Sequence, residues 1–112
     1  MVALDQARTD ESGLHIWTDV SNTTVTVHVD GDLDIATAPL FSTLVAPHTC
    51  ADDLVVDLSA CGFIDSSGIT ALLRCRQQLD TNATMRLTGA EASIVRTLQI
   101  CGLLTVLGVD TE

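Results

Sequence analysis

Lysine is missing from this chain, and cations of any kind are few. The five basic residues are all arginine (Arg8, Arg74, Arg76, Arg86, Arg96). They stand against 15 Asp and Glu, for a formal charge of −10 with His neutral. Phosphate neutralisation needs clustered cations, so nucleic acid and anionic membrane surfaces are poor partners. A basic or mixed-charge protein surface suits this chain better. No apolar run approaches the roughly 18 residues needed to cross a bilayer. The segment from Met1 to Leu14 holds Asp5, Asp10 and Glu11 and no apolar h-region. It does not read as a signal peptide, and the expected compartment is the cytoplasm. Cys50, Cys61, Cys75 and Cys101 stand 11, 14 and 26 residues apart with no CxxC, a spacing that disfavours structural zinc. In a reducing compartment their default role is as small core-filling thiols. There is no Gly-rich phosphate loop, so the chain itself is neither kinase nor NTPase.

What is present is enough for one folded domain. The 112 residues are 46% hydrophobic and 18% charged, which sets the chain apart from disordered sequences. A chain of this size buries roughly 65% of its unfolded surface, so a core forms without disulfides. The first dozen residues are polar and are expected to fray. Leu14–Trp17 and Thr23–Val29 read as strands. In the second, Val25, Val27 and Val29 alternate with Thr26 and His28, the period of a half-buried strand. Ser21-Asn22 reads as the turn of a hairpin. A helix follows, with Thr37 as N-cap, Pro39 in its first turn, Leu40, Leu44 and Val45 at helical spacing, and Pro47 at its end.

Leu54-Val55-Val56-Asp57-Leu58 reads as a buried central strand. Ser66-Ser67-Gly68 opens a second helix running to about Leu79, with Ile69, Leu72, Leu73, Arg76 and Leu79 on its apolar stripe. Thr84–Thr88 is a strand, Ala90–Ile100 a third helix with Ile94, Val95 and Leu98 inward, and Gly102 its stop. Leu104–Leu107 is expected as a last strand. The order ββαβαβαβ predicts an α/β fold: right-handed crossovers and a small, mostly parallel sheet.

One segment concentrates chemistry. A strand from Asp53 runs through a loop into Asp65-Ser66-Ser67-Gly68 at a helix start. Asp65, Ser66 and Ser67 can each accept from unpaired N–H groups of the first turn, and Gly68 lets another backbone approach closely. A phosphate on Ser66 is expected to be tolerated beside free N–H donors while adding nearly two negative charges. That describes a switch, with little structural disturbance and a large change in what can dock. The plainer reading is a helix cap and nothing more.

The run Leu54 to Leu73, with its Asp-Ser-Ser-Gly, closely resembles the signature of STAS domains, in particular the bacterial anti-sigma factor antagonists. Gly31-Asp32-Leu33-Asp34 resembles that family's Gly-x-Leu-Asp after the second strand. The resemblance runs from about Leu14 to Val109. It implies a STAS fold over residues 13–110 behind a flexible stretch, 1–12. It also implies a partner-switching phosphoprotein of transcription regulation.

In that family the unphosphorylated antagonist binds an anti-sigma factor that is also a serine kinase, which frees a sigma factor. Phosphorylation makes the antagonist let go, and a phosphatase resets it. By motif position Ser66 is the phosphoacceptor. Asp65 flanks it, Gly68 admits the kinase, Gly31 and Asp34 shape the neighbouring surface, and Ser67 and Arg74 join the partner contact. No cofactor or metal is implied, and any ATP belongs to the partner. A STAS module without kinase control, serving a transport or lipid-handling complex or a stress assembly, is the second reading. Cys61 and Cys75, near the switch, leave room for redox control of docking.

Other constellations fail. A hydrolase elbow needs G-x-S-x-G with a His and an acid, and nothing places His15, His28 or His48 beside Ser66. His28 is expected to face solvent without a partner group, and Trp17 to pack in the core or at its rim. Asp30, Asp32 and Asp34 resemble the start of a calcium loop, but its sixth and twelfth places hold Ile35 and Phe41.

Overall fold

The computed structural model describes residues 8–9 and 14–110. Its elements are β1 (Arg8–Thr9), β2 (His15–Ser21), β3 (Thr24–Asp30), α1 (Ala38–Val45), β4 (Asp53–Ala60), α2 (Ser66–Gln78), β5 (Thr84–Thr88) and α3 (Ala92–Ile100). They form one sheet in the order β1-β2-β3-β4-β5. The β1–β2 and β2–β3 pairings are antiparallel, and β3–β4 and β4–β5 are parallel. Only β2 therefore runs against the other four. The hairpin turn is Asn22-Thr23, closed by the Ser21–Thr24 pair, with Asn22 at a φ of 54°. Asn tolerates that left-handed conformation better than most residues. Of the stretch expected to be flexible, Arg8–Thr9 pairs with Ile16 and His15, and the rest lies outside the described residues.

Strand alternation makes the sheet one-sided. Ile16, Val25, Val27, Val29, Leu54, Val56, Leu58, Met85 and Leu87 point into a single core. All three helices cover that face: α1 with Phe41 and Leu44, α2 with Leu72 and Cys75, α3 with Ile94 and Leu98. Each fully buried Leu or Phe contributes about 1.5–3 kcal/mol. The expectation of a fully buried β4 is corrected here. Val55 and Asp57 are only half-buried, because among the described residues no helix covers the other face.

That open face carries Trp17, His28, Asp57 and their strand neighbours. His28 does point away from the core, but the absence of a partner group does not hold. Its two ring nitrogens lie 2.8 Å from Asp57 and 2.9 Å from Asp19. Trp17, expected in the core or at its rim, is half-buried on this open face instead and stacks on His28.

The expected last strand is also corrected. Residues 103–107 coil in turns, with Leu107 N–H donating to the Leu103 carbonyl at 3.0 Å and Leu107 fully buried. Gly108, at a φ of 65°, then turns the chain onto β5, where Val109 makes a single parallel bridge to Leu87. Leu104, Val106 and Leu107 are apolar as a strand here would require, but the β5 edge is reached only at Val109, two residues after that run ends.

The buried stripe of α2 is Gly68, Ala71, Leu72 and Cys75, rotated from the expected one. Ile69 and Leu73 lie at its margin. Arg76, expected on the stripe, instead donates to the carbonyls of Ala83 (3.0 Å) and Asp80 (3.2 Å), closing the turn into β5.

Candidate functional site

Two loops meet at the end of the sheet where β3 and β4 finish. Gly31, at a φ of 121°, swings the chain out of β3 and donates its N–H to the Ala60 carbonyl at 3.0 Å. Such a φ favours glycine. Leu33 then pairs with Ile64: its N–H donates to the Phe63 carbonyl at 2.9 Å, and its own carbonyl accepts from Asp65 N–H at 3.2 Å. The two loops are laced together by backbone bonds, with Leu33 fully buried between them.

Each loop ends in an aspartate that caps the chain after it. Asp34 Oδ1 accepts from the N–H groups of Ala36 (3.0 Å) and Thr37 (3.2 Å). Thr37 is buried, and its hydroxyl accepts from Asp34 N–H and donates to the Asp32 carbonyl, both at 2.8 Å. Thr37 thus holds the N-cap position of α1, but its side chain ties down the preceding loop and caps no N–H of its own helix. Asp65 is the N-cap of α2, and its Oδ1 accepts from Ser67 N–H at 2.8 Å and Gly68 N–H at 3.1 Å. A cap of this kind contributes about 1 kcal/mol.

Ser66, the first residue of α2, is exposed, and its hydroxyl makes no hydrogen bond among the described residues. Its carbonyl is engaged by the Thr70 hydroxyl at 2.8 Å. A phosphate here finds fewer free donors than the sequence led one to expect. Asp65 has taken two of the first-turn N–H groups, and Ile69 N–H already donates to the Asp65 carbonyl at 2.9 Å. The added charge would stay at the surface beside a carboxylate.

Gly68 is placed differently from the reading in which it admits a partner. It is buried, and the backbone that approaches it belongs to this chain. A Cβ there would stand 2.3 Å from the Leu33 carbonyl oxygen and 2.7 Å from Ile64 Cγ1. Its role is to let α2 seat against the Gly31–Asp34 loop.

The sequence reading missed two surface residues. Ile35 and Phe63 are large, apolar and 76% and 52% exposed, one on each loop. Ile35 also walls an open groove of about 520 Å³ between α1 and α2. Ala38 and Pro39 line one side of it, and Ser67, Thr70 and Arg74 the other. Arg74 is exposed and forms no salt bridge among the described residues. Exposed apolar residues beside loop motifs were the available signal, but sequence alone does not say which of them the core takes.

Cys61 and Cys75 do not face the docking side. Both are buried. Burial pushes the Cys75 thiol up to about 11, and burial also raises Cys61, whose S–H donates to the Phe63 carbonyl. Reactive cysteines are exposed and low in pKa, so these surroundings speak against redox control at either position. Cys50 and Cys101 are exposed, which corrects the expectation of four core thiols. A thiol reagent added to native protein is expected to label Cys50 and Cys101 at once, and Cys61 and Cys75 only after denaturation. Equal labelling rates at all four, mapped by mass spectrometry, would contradict that assignment.

The STAS domain family model matches residues 15–111, nearly the whole chain. The chain belongs to the STAS family. No curated protein matches the sequence. Solved STAS-like structures do match its fold. An anti-sigma factor antagonist from Mycobacterium paratuberculosis superposes with a TM-score of 0.83 at 20% identity, covering 94% of this chain and 92% of that one. The anti-sigma factor antagonist SpoIIAA, unphosphorylated, matches at 0.73 and 18%, covering 87% and 89%. The phosphorylated form of this Bacillus protein matches at 0.65 and 18%, covering 97% and 93%. A sulfate transporter family protein from Wolinella succinogenes matches at 0.68 and 16%, covering 81% and 79%. In this STAS domain the Asp-Ser-Ser-Gly thus sits at one end of the sheet, with Ile35 and Phe63 exposed on the two loops there.

Proposed function

We propose that this STAS domain is an anti-sigma factor antagonist. In this reading it binds an anti-sigma factor with serine kinase activity while Ser66 carries a free hydroxyl, and so releases a sigma factor. The observation that carries the reading is the exposed Ser66, on a helix start already capped by Asp65 and beside the apolar residues Ile35 and Phe63. The partner supplies the chemistry. The γ-phosphoryl of ATP passes to Ser66 Oγ, ADP leaves, and the hydroxyl proton goes to a base of the kinase. The chain contributes the acceptor and no catalytic group. A phosphatase reverses the modification.

Phosphorylation adds about −1.5 to −2 charges to a surface that is already acidic. Because Asp65 already holds the Ser67 and Gly68 N–H groups, that charge opposes docking without unfolding the helix. Apolar contacts at Ile35 and Phe63 and the groove beside Ser67 supply the attraction, and Arg74 offers a cation to an acidic group of the partner.

The test is incubation with ATP and a candidate anti-sigma kinase, followed by intact mass and peptide mapping. One phosphate on Ser66 is the expected result. No phosphate, from kinases shown to be active on their own antagonists, would overturn the kinase-controlled reading. Ile35→Ser and Phe63→Ser are each expected to weaken partner binding about tenfold, close to 1.4 kcal/mol, with an unchanged melting temperature. Unaltered affinity in both would place the contact elsewhere.

The fold shared with a sulfate transporter family protein favours a second reading, a STAS module in a larger complex without kinase control. In that case Ser66 stays unmodified, and Ser66→Ala changes nothing.

A further inference from the structure

The open face of the sheet carries a cluster that the switch at Ser66 does not use. His28 stands in mid-sheet on β3, with Asp57 beside it on β4 and Trp17 beside it on β2. Its Nδ1 lies 2.8 Å from Asp57 Oδ2, and its Nε2 lies 2.9 Å from Asp19 Oδ2. A neutral imidazole has one N–H, so it satisfies one carboxylate and turns a lone pair on the other. Only the imidazolium donates to both. The Trp17 ring lies over it, centroids 5.0 Å apart and 15° from parallel, where the indole face favours a cation. The His28 side chain is 22% exposed, which shields the pair with Asp57 more than an open surface pair.

We propose that Asp19, His28 and Asp57 form a proton-dependent latch across β2, β3 and β4, closed while His28 is an imidazolium and open once it is neutral. The latch abuts an irregularity in the sheet. Asp57 pairs with His28, but the next pairing is Asp30 with Ala60, so β4 carries one extra residue there. The same Asp57 carboxylate accepts Ser59 N–H at 3.0 Å within that bulge. Releasing His28 therefore loosens the hairpin and the exit of β4 together. This inference does not depend on phosphorylation at Ser66.

Asp57 and Asp19 act on His28 directly, and the other charged and titratable groups share its face. Asp19 and His15 lie on this face from β2, Asp30 from β3, Asp53 and Asp57 from β4, and Arg86 from β5, beside Val55. Among the described residues no helix covers the face. Burial lowers the affinity of His28 for its proton, but the hydrogen bonds and charges of Asp57 and Asp19 outweigh it, and the pKa is raised above 6.5. Stability from the latch is then fully present below 6.5 and is lost as pH rises through the higher folded value. Burial opposes ionisation of Asp57, but the Ser59 and His28 bonds outweigh it and hold its pKa below 3.8. The Asp57 side of the latch fails only as pH falls through that lowered value.

Trp17 is the one Trp in the chain, so its fluorescence reads the ring stacked on it. The experiment uses the whole chain, with NMR of the imidazole nitrogens and Trp17 fluorescence followed from about pH 5.5 to 9. The latch requires both His28 nitrogens to be protonated at neutral pH. It also requires a midpoint above 6.5 and a rise in fluorescence along the same curve, as the quenching cation is lost. Asp19→Asn moves that midpoint down, and His15→Gln leaves it in place. The urea midpoint of the parent falls across this window, and that of His28→Gln does not. One bare nitrogen at neutral pH, a midpoint at or below 6.5, or a midpoint unmoved by Asp19→Asn overturns the latch. The parent spectra and Asp19→Asn decide the matter even if His28→Gln folds poorly.

Discussion

Ser66→Ala is expected to bind its anti-sigma partner equally well with and without ATP, whereas the parent chain loses the partner once ATP is added. The size of the effect follows from charge. A phosphoserine adds nearly two negative charges, and like charges brought together at an interface cost several kcal/mol. Phosphorylated parent chain should therefore bind at least about 100-fold more weakly, or roughly 2.7 kcal/mol. Ser66→Asp carries one charge and lacks the extra oxygens, so a loss of about tenfold is expected. Ser66 is exposed and Asp65 already holds the cap, so all three forms should melt within about 2 °C of one another. Titration calorimetry with ADP and then ATP present measures the difference directly. Equal affinity for the parent, Ser66→Ala and Ser66→Asp would reduce Ser66 to a surface position at a helix start.

Gly68→Ala is expected to act on the fold. Alanine is the better helix former by about 1 kcal/mol, so propensity alone predicts stabilisation. Packing predicts the reverse. The new Cβ would stand 2.3 Å from a backbone oxygen, and a backbone cannot swing aside as a side-chain tip does. Either α2 lifts from the Gly31–Asp34 loop or Leu33 shifts, and the Asp65 N–H bond to the Leu33 carbonyl is lost with it. Overpacking of this kind costs about 1–3 kcal/mol, and losing the buried hydrogen bond adds about 1. The net destabilisation should be about 2 kcal/mol, a fall in melting temperature of roughly 10 °C. Partner binding should fall as well, because the helix bearing Ser66 moves away from Ile35. A melting temperature equal to or above the parent's would mean that the two loops separate freely, against the backbone lacing between them.

These two variants mark the boundary between what residue order shows and what folding adds. The hydrophobic period identified β3, and turn chemistry placed the hairpin. The capping residues placed the start of α2, because caps and alternation are local properties that need no knowledge of distant neighbours. The family signature is legible for the same reason, since Asp65, Ser66 and Gly68 are contiguous. Local rules failed wherever a distant surface decided. Leu104–Leu107 has the apolar content of a strand but coils to bury Leu107, and the chain meets β5 only at Val109. Arg76 leaves its expected place on the apolar stripe because the small Gly68 and Ala71 define the face that α2 turns inward.

Sequence by itself determined the class of fold, the position of the Asp-Ser-Ser-Gly and the acidic balance that limits its partners. Tertiary structure alone decided that Gly68 is a seat for Leu33, that Ile35 and Phe63 remain exposed, and that His28 lies between two carboxylates. The physical reason is range. Backbone propensity and side-chain capping act within a few residues, whereas burial and charge pairing depend on residues brought together from nine to more than thirty positions apart.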